Sequence, residues 1–195
     1  MIKEDQSAQV ALLSDPAVFG DATQVVGRVT THASELFIGQ ERVFKLKRAV
    51  EYPFMDYSDR EKRLKYCEAE VALNRRTAPH LYLGVKPITR GADGQLHLDQ
   101  PGDVVDWVIE MARFDEATLF DHLAEEGKLD RHLMEHLADK IATFHAATEA
   151  RQDGGGRTGI ALTIESNAKA FAENAPGFLD MNRVAELTEH SVAAT

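Results

Sequence analysis

Cysteine is nearly absent. Cys67 stands alone in 195 residues, so no disulfide can form within the chain, which fits a reducing compartment. Long apolar runs are missing too. Nothing approaches the roughly 20 apolar residues of a membrane helix. The opening "MIKEDQSAQVALLSD" has acids and glutamine where a secretory leader needs an apolar stretch. Positive charge is in deficit. With 22 Lys and Arg against 32 Asp and Glu, the net charge is −10, a field that repels nucleic acid and anionic lipid. These shortages predict a cytoplasmic protein with no nucleic-acid and no membrane partner. What remains is an ordinary globular composition, 44% hydrophobic and 28% charged, enough for one domain or a two-lobed one.

The order of patterns along the chain sets the fold class. Ala8–Leu13 reads as a short helix stopped by Asp15-Pro16. Thr23–Ala33 and Ser34–Gly39 are rich in β-branched and apolar residues and read as paired strands. Gly39-Gln40-Glu41 turns into a third, "RVFKLKRAV". Connections this short exclude crossover helices, so the strands form an antiparallel meander. Ser58 followed by Glu61 reads as a capping box, and Leu64, Cys67 and Val71 recur at helical spacing up to Pro79. Ala92-Asp93-Gly94 marks a hairpin, and Val104–Phe114 reads as a last strong strand. After it come helices only, one with a buried stripe of Leu133, Leu137, Ile141 and Phe144. Asp153–Gly159 reads as a flexible loop, and further helices are expected around Asn167–Glu173 and Asn182–Ala194. Strands segregated from helices imply an α+β protein, not a doubly wound sheet.

"RVFKLKRAV" poses the chemical question. Side chains alternate across a strand, so Val43, Lys45 and Lys47 share one face and Phe44 and Leu46 the other. Two lysines on one face fit an edge strand with solvated amines, a device against aggregation. They also fit a lysine that faces a cleft and meets phosphate. The hairpin before the strand, the Glu-bearing helix after it and the helical half that follows favour the second reading. The helical wheel puts Glu68 and Glu70 on either side of the Leu64/Cys67/Val71 stripe and does not choose between them as partner.

"TTHASELF", "RVFKLKRAV", "YPFMDYSDREKRLKYCEAEVALNRRTAPHLYLGVKPITRG" and "LADKIATFHAA" together cover most of residues 24–150. In these stretches the chain resembles the aminoglycoside phosphotransferase-like kinases, of protein-kinase-like fold, and in particular the bacterial aminoglycoside phosphotransferase family enzymes often fused to a P-loop ATPase domain. The resemblance implies an antiparallel-sheet N-lobe with one helix over residues 1–112 and an incomplete helical C-lobe over 113–195. It implies ATP as nucleotide, Mg²⁺ in the complete protein, and a small-molecule phosphoryl acceptor that the sequence does not specify. In kinases a lysine of the third strand binds the α- and β-phosphates and pairs with a Glu of the next helix. Lys45 takes that place, because Val43 two residues earlier then roofs the adenine. Choosing Lys47 would set the Lys45 charge against the base, at a desolvation cost. Lys47 is therefore expected at the rim, nearer solvent. The "EVALNRR" pattern favours Glu70 as partner. Ser34 falls at the turn that covers the phosphates, although "THAS" lacks the glycines of protein-kinase loops. Met111 becomes the gate residue, with Ala112 and Phe114 offering main-chain contacts to adenine.

Two further features bear on function. "HLMEH" sets His132, Glu135 and His136 in the spacing of an inverted zincin, which makes a zinc peptidase a remote alternative. The H-x-D-x-x-x-x-N loop that orients the acceptor and helps hold Mg²⁺ in kinases is missing, so no catalytic residue is assigned. The expectation is the front part of a phosphotransferase, truncated before its catalytic loop, that binds nucleotide weakly and does not turn over alone. A non-catalytic kinase-like interaction or regulatory module is the alternative.

Overall fold

The computed structural model describes residues 2–20, 25–150 and 155–195. Helix α1 (Ser7–Ser14) precedes strands β1 (Gly27–Thr30), β2 (Ser34–Ile38) and β3 (Arg42–Lys47). A small pair, β4 (Glu51–Tyr52) and β5 (Met55–Asp56), leads into α2 (Arg60–Asn74). Strands β6 (Tyr82–Arg90), β7 (Leu96–Leu98) and β8 (Asp103–Ala112) follow, and then helices α3 (Phe120–Glu125), α4 (Arg131–Ala147), α5 (Gly156–Asn174) and α6 (Met181–Ala193). The protein is α+β, as segregation of strands from helices implies. Thr23 and Gln24 of the expected first strand, and Asp153 and Gly154 of the expected glycine loop, lie outside the described residues.

Six strands form one antiparallel sheet in the order β1-β2-β3-β8-β6-β7. Strand β3 is therefore interior, flanked by β2 and β8, and the edge-strand explanation of its lysines does not hold. Both faces of the sheet are covered. Phe44 and Leu46 join Leu13, Phe37, Ile88 and Val108 on one side, where α1 lies. Val43, Ile109 and Met111 join Cys67 and Val71 of α2 on the other. Burying each large side chain of these clusters contributes about 1.5–3 kcal/mol.

Contacts divide the chain into two compact units, Met1–Met134 and Glu135–Thr195. The last strand ends at Ala112. In the second unit α5 packs on α6, and Ala175 beyond α5 is buried.

Three local expectations are corrected. The N-cap of α2 is Asp59, not Ser58: the Asp59 carboxylate accepts from the Lys62 amide at 2.8 Å. The Ser58 hydroxyl instead accepts from Lys62 Nζ at 3.0 Å. A carboxylate is the stronger acceptor for an amide at a helix N-terminus, so the start shifts by one residue. The glycine loop closes early, because α5 already runs from Gly156, after Gly155 in the left-handed region at φ 83°. In α4 no residue is buried; Leu133, Leu137 and Phe144 are half-covered and Ile141 is 45% exposed. Periodicity locates an apolar face, but only a neighbouring element can cover it.

Candidate functional site

The covered face of β3 supplies the site. The β3 lysines point toward α2, whose Glu70 receives both. Lys45 Nζ donates to Glu70 Oε1 at 2.6 Å, and Lys47 Nζ to Glu70 Oε2 at 2.7 Å. Each carboxylate oxygen thus holds one ammonium. Glu68 is exposed on another side of the helix. Of the two carboxylates that the helical wheel left open, Glu70 is the one that meets the strand.

Depth separates the two lysines, in the opposite sense to expectation. Lys47 is 3% exposed and Lys45 is 24% exposed. Lys47 is not the rim residue; it lies beneath the Tyr57 ring, its Nζ 4.7 Å from the centroid. The segment after β5 carries Tyr57 over the end of β3, and strand alternation has no means of signalling that cover. Lys45, by contrast, is partly open to solvent and has ammonium hydrogens to spare beyond the one given to Glu70.

Protonation follows from this arrangement. Burial works against ionisation of Glu70, but the hydrogen bonds from Lys45 and Lys47 outweigh it and hold the carboxyl below its ordinary range. Burial also works against the Lys47 charge. The hydrogen bond and charge of Glu70 outweigh it and leave the ammonium pKa raised. Below the pair, Cys67 is fully buried, and burial pushes its thiol up to about 12. At pH 8 only about one molecule in ten thousand then carries the thiolate that reacts. Ellman's reagent is expected to find no thiol in the native protein at pH 8 and one after denaturation; prompt native reaction would show that Cys67 is not sealed.

Other expected site residues share this face. Val43 pairs with Met111 across β3 and β8, and Lys45 with Ile109. Cross-strand partners stand on one side of a sheet, so Val43 and Met111 adjoin the lysines. Both are buried, Val43 at 7% and Met111 at 8% exposure. Ser34 opens β2 opposite Lys47 and is buried. It is not at the tip of the turn. Its amide donates to Thr31 Oγ1 at 3.0 Å. Beyond Met111, the Ala112 amide donates to Leu81 O at 2.9 Å and the Arg113 amide to Glu41 O at 2.8 Å. Phe114 is 37% exposed at the end of this run.

The pattern reading missed a buried ionic clamp beside the site. Arg63 and Asp106 are both fully buried, with Arg63 Nε donating to Asp106 Oδ1 at 2.7 Å. Arg63 Nη2 reaches Glu4 at 2.8 Å. Gln6 Nε2 donates to the other Asp106 oxygen at 2.9 Å and to Lys47 O at 3.0 Å, while its Oε1 accepts from the Ala49 amide at 2.8 Å. The clamp ties α2, β8 and the segment before α1 to the end of β3 that carries Lys47. Its one sequence signal was an aspartate inside the apolar run "VVDWVIE".

His132 and His136 are exposed on α4. Among the described residues no group of three or more His, Cys, Asp or Glu side chains is placed to hold a metal ion, so the zinc reading lacks its third ligand there. No described helix is long and apolar enough to cross a membrane.

No protein-family profile matches the chain, and no solved structure matches it. Uncharacterized proteins of Mycobacterium tuberculosis and Mycobacterium bovis are each 28% identical to it over 116 residues, which is 59% of this chain and 21% of theirs. The chain thus spans about a fifth of the length of the curated relatives it matches.

Proposed function

We propose that this chain is the nucleotide-binding front part of an ATP-dependent phosphotransferase acting on a small molecule, of the aminoglycoside phosphotransferase-like, protein-kinase-like type. The supporting observation is the ion pair between Lys45 and Glu70, a third-strand lysine and an acid of the following helix. The strand order fits the reading, as does the apolar cross-strand pair Val43 and Met111 beside the lysine. Cytoplasmic placement belongs to the same proposal.

In this reading ATP supplies the transferable phosphoryl group, and Lys45 holds its α- and β-phosphates. Partial exposure lets the ammonium reach an anion from solvent. Glu70 fixes its direction and spares it the entropy of searching for a rotamer. Val43 and Met111 bound the adenine. The amides of Ala112 and Arg113 are committed within the fold, which leaves the main chain at Phe114 as the donor for the base. Mg²⁺ would be held by carboxylates of the complete protein together with the nucleotide phosphates, and no step is assigned to it.

ATP titration tests the proposal. Saturable binding that falls at least about tenfold in Lys45→Met is expected, the size of a lost charged contact. Absence of saturable binding, in this chain and in a longer parent protein alike, would favour the non-catalytic module. No phosphoryl transfer is expected from these 195 residues, because the loop that positions an acceptor is not among them. Turnover that Lys45→Ala abolishes would contradict that expectation.

A further inference from the structure

Glu70 is shared, and the sharing has an electrostatic consequence. In a one-to-one pair the lysine charge is cancelled by its own glutamate. Drawing the lysine toward a phosphate then strands a half-buried carboxylate, which is costly. Here Lys47 occupies the second oxygen of Glu70 at 2.7 Å and is itself almost sealed from water. The cluster of two ammonium groups and one carboxylate carries a net charge of about +1 at neutral pH. Lys45 is its exposed member. We infer that Lys47 is a positioning residue whose buried charge neutralises Glu70 and leaves the charge of Lys45 free for an anionic nucleotide tail.

The geometry separates this role from phosphate binding by Lys47 itself. Its ammonium is covered by the Tyr57 ring, and the carbonyl of the same residue is held by Gln6. A ligand approaching from solvent meets Lys45 first. When Lys45 shifts to a phosphate, Glu70 keeps Lys47, and no buried charge is left alone.

The inference rests on the reading of Lys45 as the phosphate ligand, and ADP and adenosine affinities test the two separately. In Lys47→Met the one remaining lysine is cancelled by Glu70. ADP binding is expected to weaken roughly tenfold, the effect of one unit charge at close range, while adenosine binding stays unchanged. In the Lys47→Met/Glu70→Gln double variant the carboxylate charge is removed as well, and ADP affinity is expected to return to near the wild-type value. Lys47→Gln, which keeps a hydrogen bond to Glu70 but no charge, is expected to show the same loss as Lys47→Met and serves if the latter fails to fold. Unchanged ADP affinity in both single variants would overturn the inference. So would a double variant as weak as Lys47→Met, which is the outcome of a purely structural role. If Lys45→Met abolishes ADP binding while the Lys47 variants do not alter it, the inference alone fails. If the wild-type protein binds no ADP, the Lys45 reading fails and the inference with it.

Discussion

Asp106→Ala is expected to cost about 3–5 kcal/mol of folding stability, the penalty for leaving one member of a buried ion pair without its counterpart. Arg63 and Asp106 are both fully buried. Without the aspartate, the guanidinium keeps only Glu4, which is 41% exposed, and a carbonyl bond to Tyr57 at 3.2 Å. Gln6 Nε2 and the Trp107 amide lose an acceptor as well. A loss of this size is a large share of the about 5–15 kcal/mol that holds a typical domain together. Urea unfolding followed by the fluorescence of Trp107, the sole tryptophan, measures it from beside the lesion. Replacing both partners, as in Arg63→Met/Asp106→Ala, is expected to recover most of the loss, since neither charge of the pair then remains without its counterpart. A single-variant loss under about 1 kcal/mol would mean the pair behaves as a surface one.

Glu70→Ala is expected to produce a loss of similar size for a different reason. It leaves two ammonium groups side by side, one of them 3% exposed. Removing one member of such a set costs about 3–5 kcal/mol. Adding Lys47→Met is expected to restore much of it, and the non-additivity of the two changes measures their coupling. The pH dependence has a definite sign. The folded-state pKa of Glu70 lies below its ordinary value of 4.5, so the contribution is complete above that value. It is lost as pH falls through the folded pKa. Wild type is therefore expected to lose its advantage over Glu70→Ala on acidification below about pH 4.5. An advantage that persists unchanged into strong acid would show that Glu70 does not titrate as a shared carboxylate.

The balance between these two predictions shows where sequence patterns stop. Strand positions were legible because β-branched residues and Asp-Gly chemistry report local conformation. Which face of β3 carries the lysines was legible from alternation alone. How deep each lysine lies was not, because depth at Lys47 depends on Tyr57, brought over it by the chain beyond β5. The choice of Glu70 over Glu68 was obscured by centring the helical stripe on Leu64. The buried residues of α2 are Arg63, Cys67 and Val71. At about 100° per residue, Glu70 lies roughly 20° from Arg63 around the helix and Glu68 roughly 140°. A buried arginine is rare enough that periodicity of apolar residues passes over it, and its partner Asp106 is distant in sequence. In α4 the pattern identified an apolar face, but cover is a property of whatever packs on it.

The most direct test of the central claim is to ask which lysine an adenosine-derived electrophile finds. An adenosine bearing a 5′ aryl sulfonyl fluoride places its reactive group where the phosphates would lie, and peptide mapping by mass spectrometry locates the modified amine. The account predicts modification at Lys45, suppressed by excess ATP, with Lys47 left intact. Modification at Lys47 with Lys45 untouched, or labelling that ATP does not suppress, would contradict it.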